Sequence, residues 1–238
     1  MNFKPWLTLA LLTTTMSSAV ATVIDFNDLD NGTRVDTEYF SEYGITFNGT
    51  NVAQNGEDNL AVIFDTTLTQ TADPDLEGDF SNANLGDLNA GNVLVIQEDL
   101  ASCNELTCTN PDDEGAQPSG YFSIDFENGV TLNSIDFFDI EFDEATSDNA
   151  INLFAFDGSE LNAGQFFTPG TGGNNTWDQL TFDIADVYSI EINLKGSGAI
   201  SNLDFTANST ASVPAPATIG LLSLALFGLM STRRRGLM

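Results

Sequence analysis

The sequence predicts an all-β fold, a two-sheet β-sandwich of jelly-roll type. Three observations carry this prediction. Short runs that alternate apolar and polar residues recur between residues 22 and 206, separated by Gly, Asn and Asp, as half-buried strands require. No long stretch shows a helical period with caps at its ends. The 238 residues include 18 Phe and are 42% hydrophobic, enough to fill a core and too many for a disordered acidic tail.

Taken in chain order, residues 1–21 read as a secretory signal peptide. Lys4 supplies the positive start and residues 6–12 most of a short apolar stretch. Ala19-Val20-Ala21 gives the small-x-small pattern that places cleavage before Thr22. A buried N-terminal helix fits these features less closely. The domain itself spans residues 22–206. Strands are expected at 22–27, 44–48, 60–65, 92–97, 120–127, 131–143, 150–157, 177–183, 187–194 and 199–206. Asn128-Gly129 and Asp157-Gly158 have the chemistry of tight turns. The apolar phase slips between Phe137 and Phe138, which predicts a β-bulge. Val93-Leu94-Val95-Ile96 is apolar at every position and should be covered on both faces. Phe122, Phe126, Phe137, Phe142, Phe154, Phe156, Phe182 and Phe205 fall in strand phase and are assigned to the core. Residues 207–216 form a small-residue, Pro-containing linker. Residues 217–238 carry a short apolar segment ending in Arg233, Arg234 and Arg235, which the positive-inside rule keeps cytoplasmic.

Charge divides the chain sharply. All 35 acidic residues lie from Asp25 to Asp204, and four of the six cations are terminal, leaving Arg34 and Lys195 within the domain. A net charge of −29 excludes nucleic acid as a partner. The absence of His excludes Ser-His-Asp and Cys-His catalysis and any His-ligated zinc site. Asp125, Asp136, Asp139, Glu141, Asp143, Asp183 and Glu191 read as the solvating face of the sheet. Two cations cannot neutralise the whole set, so some carboxylates must repel, titrate or bind a cation. Outside a cell, Ca²⁺ is the hard ion suited to carboxylate oxygen.

Two clusters stand out as calcium candidates. Asp73-Pro-Asp75-Leu-Glu77-Gly78-Asp79 partly follows the spacing of a calcium loop, and Asp65 closes the preceding strand beside it. Asn84 stands at position twelve, where a bidentate Glu is needed, so this is a looser loop than an EF-hand. The second cluster, Asp112-Asp113-Glu114, follows Pro111 and lies downstream of Glu98-Asp99; its expected ligands are Asp112 and Asp113. A solvated loop is the competing reading for both clusters. Cys103 and Cys108 are expected to close a small disulfide loop in an exported protein. Trp177 offers a ring for carbohydrate stacking, with packing at a strand edge as the favoured alternative.

The C-terminal segment resembles a known sorting signal. Pro214-Ala215-Pro216-Ala217-Thr218, the apolar residues 219–230 and the arginine cluster resemble the PEP-CTERM signal of Gram-negative bacteria, with Ala215 where the usual box has Glu. The resemblance implies export, transient anchoring in the inner membrane through the C-terminal segment, and processing by an exosortase-type enzyme. The same tail is also labelled an ice-binding-protein C-terminal domain, a name that does not show ice binding. Ile24-Asp-Phe26, Gly44-Ile-Thr-Phe47, Val62-Ile-Phe-Asp65, Asp73-Pro-Asp-Leu76, Gly91–Ile96, Pro111-Asp-Asp113 and Ile135–Ile140 are similar to pieces of a recurring class of exported bacterial sandwich proteins. The expected function is therefore an exported, non-catalytic cell-surface or extracellular-matrix protein, stabilised by Ca²⁺ and in contact with extracellular polysaccharide. The alternative is a secreted glycan hydrolase using paired carboxylates such as Asp139 and Glu141. Ice binding calls for a regular repeated face, which the sequence lacks.

Overall fold

The structure, a computed structural model, describes residues 20–142 and 149–208. The signal segment 1–19, the chain from residue 209 with the sorting-signal residues, and Asp143 lie outside the described residues. Among the described residues no helix is long and apolar enough to cross a membrane.

The fold is all-β, as expected. The nine strands among the described residues are β1 (Ala21–Ile24), β2 (Ile45–Asn51), β3 (Ala61–Asp65), β4 (Asn92–Ile96), β5 (Gly120–Phe138), β6 (Ala150–Phe154), β7 (Glu160–Phe167), β8 (Trp177–Leu194) and β9 (Ala199–Ala207). Hydrogen bonds join them in one antiparallel sheet of order β3-β4-β9-β5-β8-β6-β7, with β1 on β9 and β2 on β5. The long strand β5 makes this connection. Its first part, through Phe126, lies between β2 and β8, and its last part, from Val130, lies between β9 and β8. Buried Ile45 and Phe47 of β2 share one core with Ile63 of β3 and Leu94 of β4, so the branches of the sheet pack on each other. Each large apolar side chain buried this way contributes roughly 1.5–3 kcal/mol.

A second core lies on the other face of β3 and β4. Val62, Phe64, Val93 and Val95 point into it, while Ile63, Leu94 and Ile96 point into the main core. The double coverage expected for Val93–Ile96 is therefore present. The second core also holds Leu76, Phe80 and Cys108, which come from loops. Phe80 meets Phe138 edge to face, with ring centroids 4.8 Å apart.

Several local expectations are corrected. Asn128-Gly129 is not a hairpin turn, because β5 runs through it with irregular register between Asp125 and Val130. Gly129 serves close packing instead: a Cβ there would stand 2.6 Å from the Tyr188 ring. No bulge separates Phe137 and Phe138, whose pairing with β8 and β9 is regular. Both are apolar because each faces a different core. The expected strands 177–183 and 187–194 are one strand, β8, which adopts positive φ at Asp183 and Asp186. Asp157-Gly158 does turn the chain, into a strand β7 that the sequence reading missed. Phe142 and Phe156 are exposed and Phe154 is half-buried, because β5 ends at Phe138 and β6 at Phe154, before the alternation does. Asp136 and Asp139, assigned to the solvated face, are buried.

Candidate metal centre

The sequence Asp73-Pro74-Asp75-Leu76 aims one carboxylate inward. Pro74 opens a short 3-10 turn, Pro74–Leu76, with its φ already fixed. Asp73 caps that turn, its Oδ1 accepting the Asp75 N–H at 3.1 Å. Leu76, fully buried in the second core, anchors the turn from below. Asn175 holds the loop from outside, donating from Nδ2 to the carbonyls of Asp75 and Glu77 at 3.0 and 2.7 Å. Asp73 is thereby 7% exposed, and its Oδ2 has no hydrogen-bond donor.

Asp112 and Asp113 reach the same place from the far side of β4. Gln97, fully buried at the end of that strand, sets their position. Its Oε1 accepts the Asp112 N–H, its Nε2 donates to the Asn110 carbonyl, and its backbone bridges Asp113. The Asp112 carbonyl accepts the Glu98 N–H at 3.0 Å. Asp113 is buried, and its Oδ2 accepts the N–H of Gly198 in the turn before β9. Gly198 has φ +144°, which favours glycine, and a Cβ there would stand 2.8 Å from Ile140 Cγ1.

The two acidic clusters therefore meet. One carboxylate oxygen from each of Asp73, Asp112 and Asp113 lies within 4.8 Å of the others. A like-charged pair at that separation costs on the order of 3–4 kcal/mol at an effective dielectric constant near 20. Burial raises the Asp113 carboxyl well above its ordinary range, and the charges of Asp73, Asp139 and Asp112 add to it; the Gly198 N–H opposes them. Burial also raises Asp73, against the opposing hydrogen bond of the Asp75 N–H. Asp112 is pushed up to about 6 by burial and by the neighbouring charges of Asp73, Glu98, Asp99 and Glu114. Arg34 donates to the carbonyls of Asn59 and Asn104. The donor set is hard oxygen, which suits Ca²⁺ and not a soft metal.

The remaining expected ligands do not join the three. Asp65 Oδ1 accepts from the N–H and hydroxyl of Thr67. Glu77 Oε1 accepts from the N–H and hydroxyl of Thr71, which hold its carboxyl below the usual range. Asp79 is exposed and accepts from Asn89. Asp75 contributes its backbone to the cap and lies half-buried. Local donors thus pin the loop at these positions. Sequence reasoning missed Asp139 as a neighbour of the cluster. Its N–H bonds the Thr176 carbonyl at 3.0 Å, and its positive φ of 56° ends the strand alternation that had placed it outside.

Trp177 does not offer a ring for a sugar. It is buried in the second core, and its indole N–H donates to the Gly86 carbonyl at 2.9 Å. Cys103 and Cys108 are joined, with an S–S distance of 2.09 Å, and Cys108 packs into that same core. Glu141 accepts from the Ser197 hydroxyl. No protein-family model matches the chain, and no curated protein matches it.

Proposed function

We propose that the chain is an exported, non-catalytic cell-surface or extracellular-matrix protein whose β domain is stabilised by Ca²⁺. The observation that carries this reading is the meeting of Asp73 with Asp112 and Asp113, three carboxylates from two separate loops packed together with a buried oxygen that lacks a donor. Calcium is abundant outside cells, and a buried carboxylate group of this kind is stabilised by a divalent cation. The PEP-CTERM-like tail supplies delivery, with exosortase-type processing at Pro214–Pro216 and the arginines 233–235 retained at the inner membrane. Polysaccharide is the proposed matrix partner. A groove of about 620 Å³ lined by Val52, Pro118, Tyr121 and Lys195 replaces Trp177 as its contact surface, because it joins an aromatic ring to polar side chains.

The test is expression with both termini intact in a Gram-negative host. The protein is expected outside the cytoplasm, without residues 1–21, with its cysteines oxidised, and with a higher unfolding temperature in Ca²⁺ than in EGTA. Full-length reduced protein in the cytosol overturns the proposal. A second reading, glycan hydrolysis, draws on one observation: a carboxyl raised to about 6 is suited to general-acid work near neutral pH. Release of reducing sugar from a polysaccharide panel, abolished by Asp112→Asn, would favour that reading over the first.

A further inference from the structure

We infer that a single Ca²⁺ ion, held by Asp73, Asp112 and Asp113, is a latch that fastens the loop of residues 66–90 to the segment of residues 97–119 and closes the second core. This inference rests on the calcium-stabilised reading above and adds what the ion holds together.

The placement of the three residues makes them a fastening point. Asp73 belongs to a turn anchored in the second core by Leu76. Asp112 is fixed to β4 through Gln97, and Asp113 to the start of β9 through Gly198. An ion bound to all three ties the loop that carries Leu76, Phe80 and Ala90 to the segment that carries Cys108. Strand residues of β3, β4, β5, β8 and β9 form part of this core, and the loop residues Leu76, Phe80, Ala90 and Cys108 complete it. The loop of residues 66–90 is already bonded to β8 through Ser81, Asn82 and Gly86, so its edge toward residues 97–119 is the side the ion would fasten.

Two independent features point to a cation rather than to a solvated acidic patch. The first is the mutual approach of the three carboxylates. The second is Asp73, more than nine-tenths buried, whose Oδ2 has no donor and whose carboxylate lies close enough to that of Asp113 to interact with it directly. An ionised carboxylate oxygen can only accept, so a neighbouring carboxylate satisfies it only through a proton or a cation held between them. His is absent from the chain and both cysteines are in the disulfide, which leaves oxygen donors alone. Loop-borne carboxylates of unequal reach fit the flexible coordination of Ca²⁺ better than the strict octahedron of Mg²⁺. A groove of about 260 Å³ opens beside the cluster, lined by Thr71 and Ala72 on one side and Asn110 and Pro111 on the other.

Hydrogen–deuterium exchange of the full chain in Ca²⁺ and in EGTA tests the latch, using wild type, Asp73→Asn and Asp79→Asn. Asn at position 73 keeps the oxygen that caps the turn, so the variant retains its local fold. In wild type, Ca²⁺ should slow exchange about tenfold or more in residues 66–90 and 97–119 together. Asp73→Asn should lose the response in both segments, and Asp79→Asn should keep it. Undiminished protection of Asp73→Asn, or protection confined to one segment, overturns the latch and leaves calcium stabilisation standing. Wild-type exchange and unfolding temperature that are both indifferent to millimolar Ca²⁺ overturn the calcium reading itself.

Discussion

Two regions of this domain bury carboxylates, and they do so in opposite ways. Asp136, on β5, is 3% exposed; its Oδ1 accepts from Gln179 at 2.8 Å and its Oδ2 from Asn202 at 2.7 Å. Burial raises its carboxyl, but the two amide donors oppose that rise. Asp73 is buried to a similar degree with one oxygen lacking a donor, and other carboxylates stand beside it. The difference teaches that burial alone does not mark a metal site. The balance of donors against acceptors separates the two, because a carboxylate with two amide partners is satisfied as it stands, whereas one facing carboxylates is satisfied only by a proton or a cation held between them.

Predictions that sharpen the contrast can be ranked by size. The largest is the calcium effect on the wild-type protein. At a concentration one hundred times the dissociation constant, Ca²⁺ should add about 2.7 kcal/mol, a rise of roughly 5–10 °C in the unfolding temperature by calorimetry. Asp136→Asn should cost about 1–3 kcal/mol by urea unfolding, equally in Ca²⁺ and EGTA, because it sets an amide donor against a donor already present. If that cost depends on calcium, the two regions are not separate. Asp73→Asn should behave with the opposite sign. In EGTA its stability should equal or exceed wild type by up to about 1 kcal/mol, since a buried uncompensated charge has been removed, while the gain in Ca²⁺ disappears.

Titration distinguishes the regions further. Asp112 has a folded value of about 6, above its ordinary 3.8, so between those values the native state binds more protons than the unfolded one. Its contribution to stability is present at low pH and is lost as pH rises through about 6. Calorimetry in chelator should show the unfolding temperature declining over that window, and saturating Ca²⁺ should flatten the decline. A profile unaffected by Ca²⁺ would argue against a metal-linked origin. The smallest effect belongs to Asp79→Asn, whose exposed carboxylate lies outside the cluster; it should change stability by no more than about 0.5 kcal/mol with or without calcium.

Much of the fold is legible in the sequence because alternation reports one-sided burial directly. Val93–Ile96 announces two-sided burial for the same reason. The same signal misleads at Phe137-Phe138, where two adjacent apolar residues serve two cores and mimic a bulge. Asn128-Gly129 misleads because its glycine answers the bulk of Tyr188, a residue far along the chain. The site was half legible. Asp73, Asp112 and Asp113 stand out locally as acids in turn-rich loops, but their meeting depends on Gln97 and on the turn at Gly198, which no local spacing encodes. Asp65, Asp75, Glu77 and Asp79 follow the expected spacing yet do not join the three; the carboxylates of Asp65, Glu77 and Asp79 accept from neighbouring residues and Asp75 engages its backbone N–H. Asp139 was hidden because the strand ends one residue before it.

The most direct measurement is a crystal structure of the protein grown at neutral pH in millimolar Ca²⁺, with the ion identified by its anomalous signal. The account predicts one Ca²⁺ between Asp73, Asp112 and Asp113, with oxygen distances of about 2.3–2.6 Å. The same three carboxylates packed together at that calcium concentration with no ion between them would contradict it.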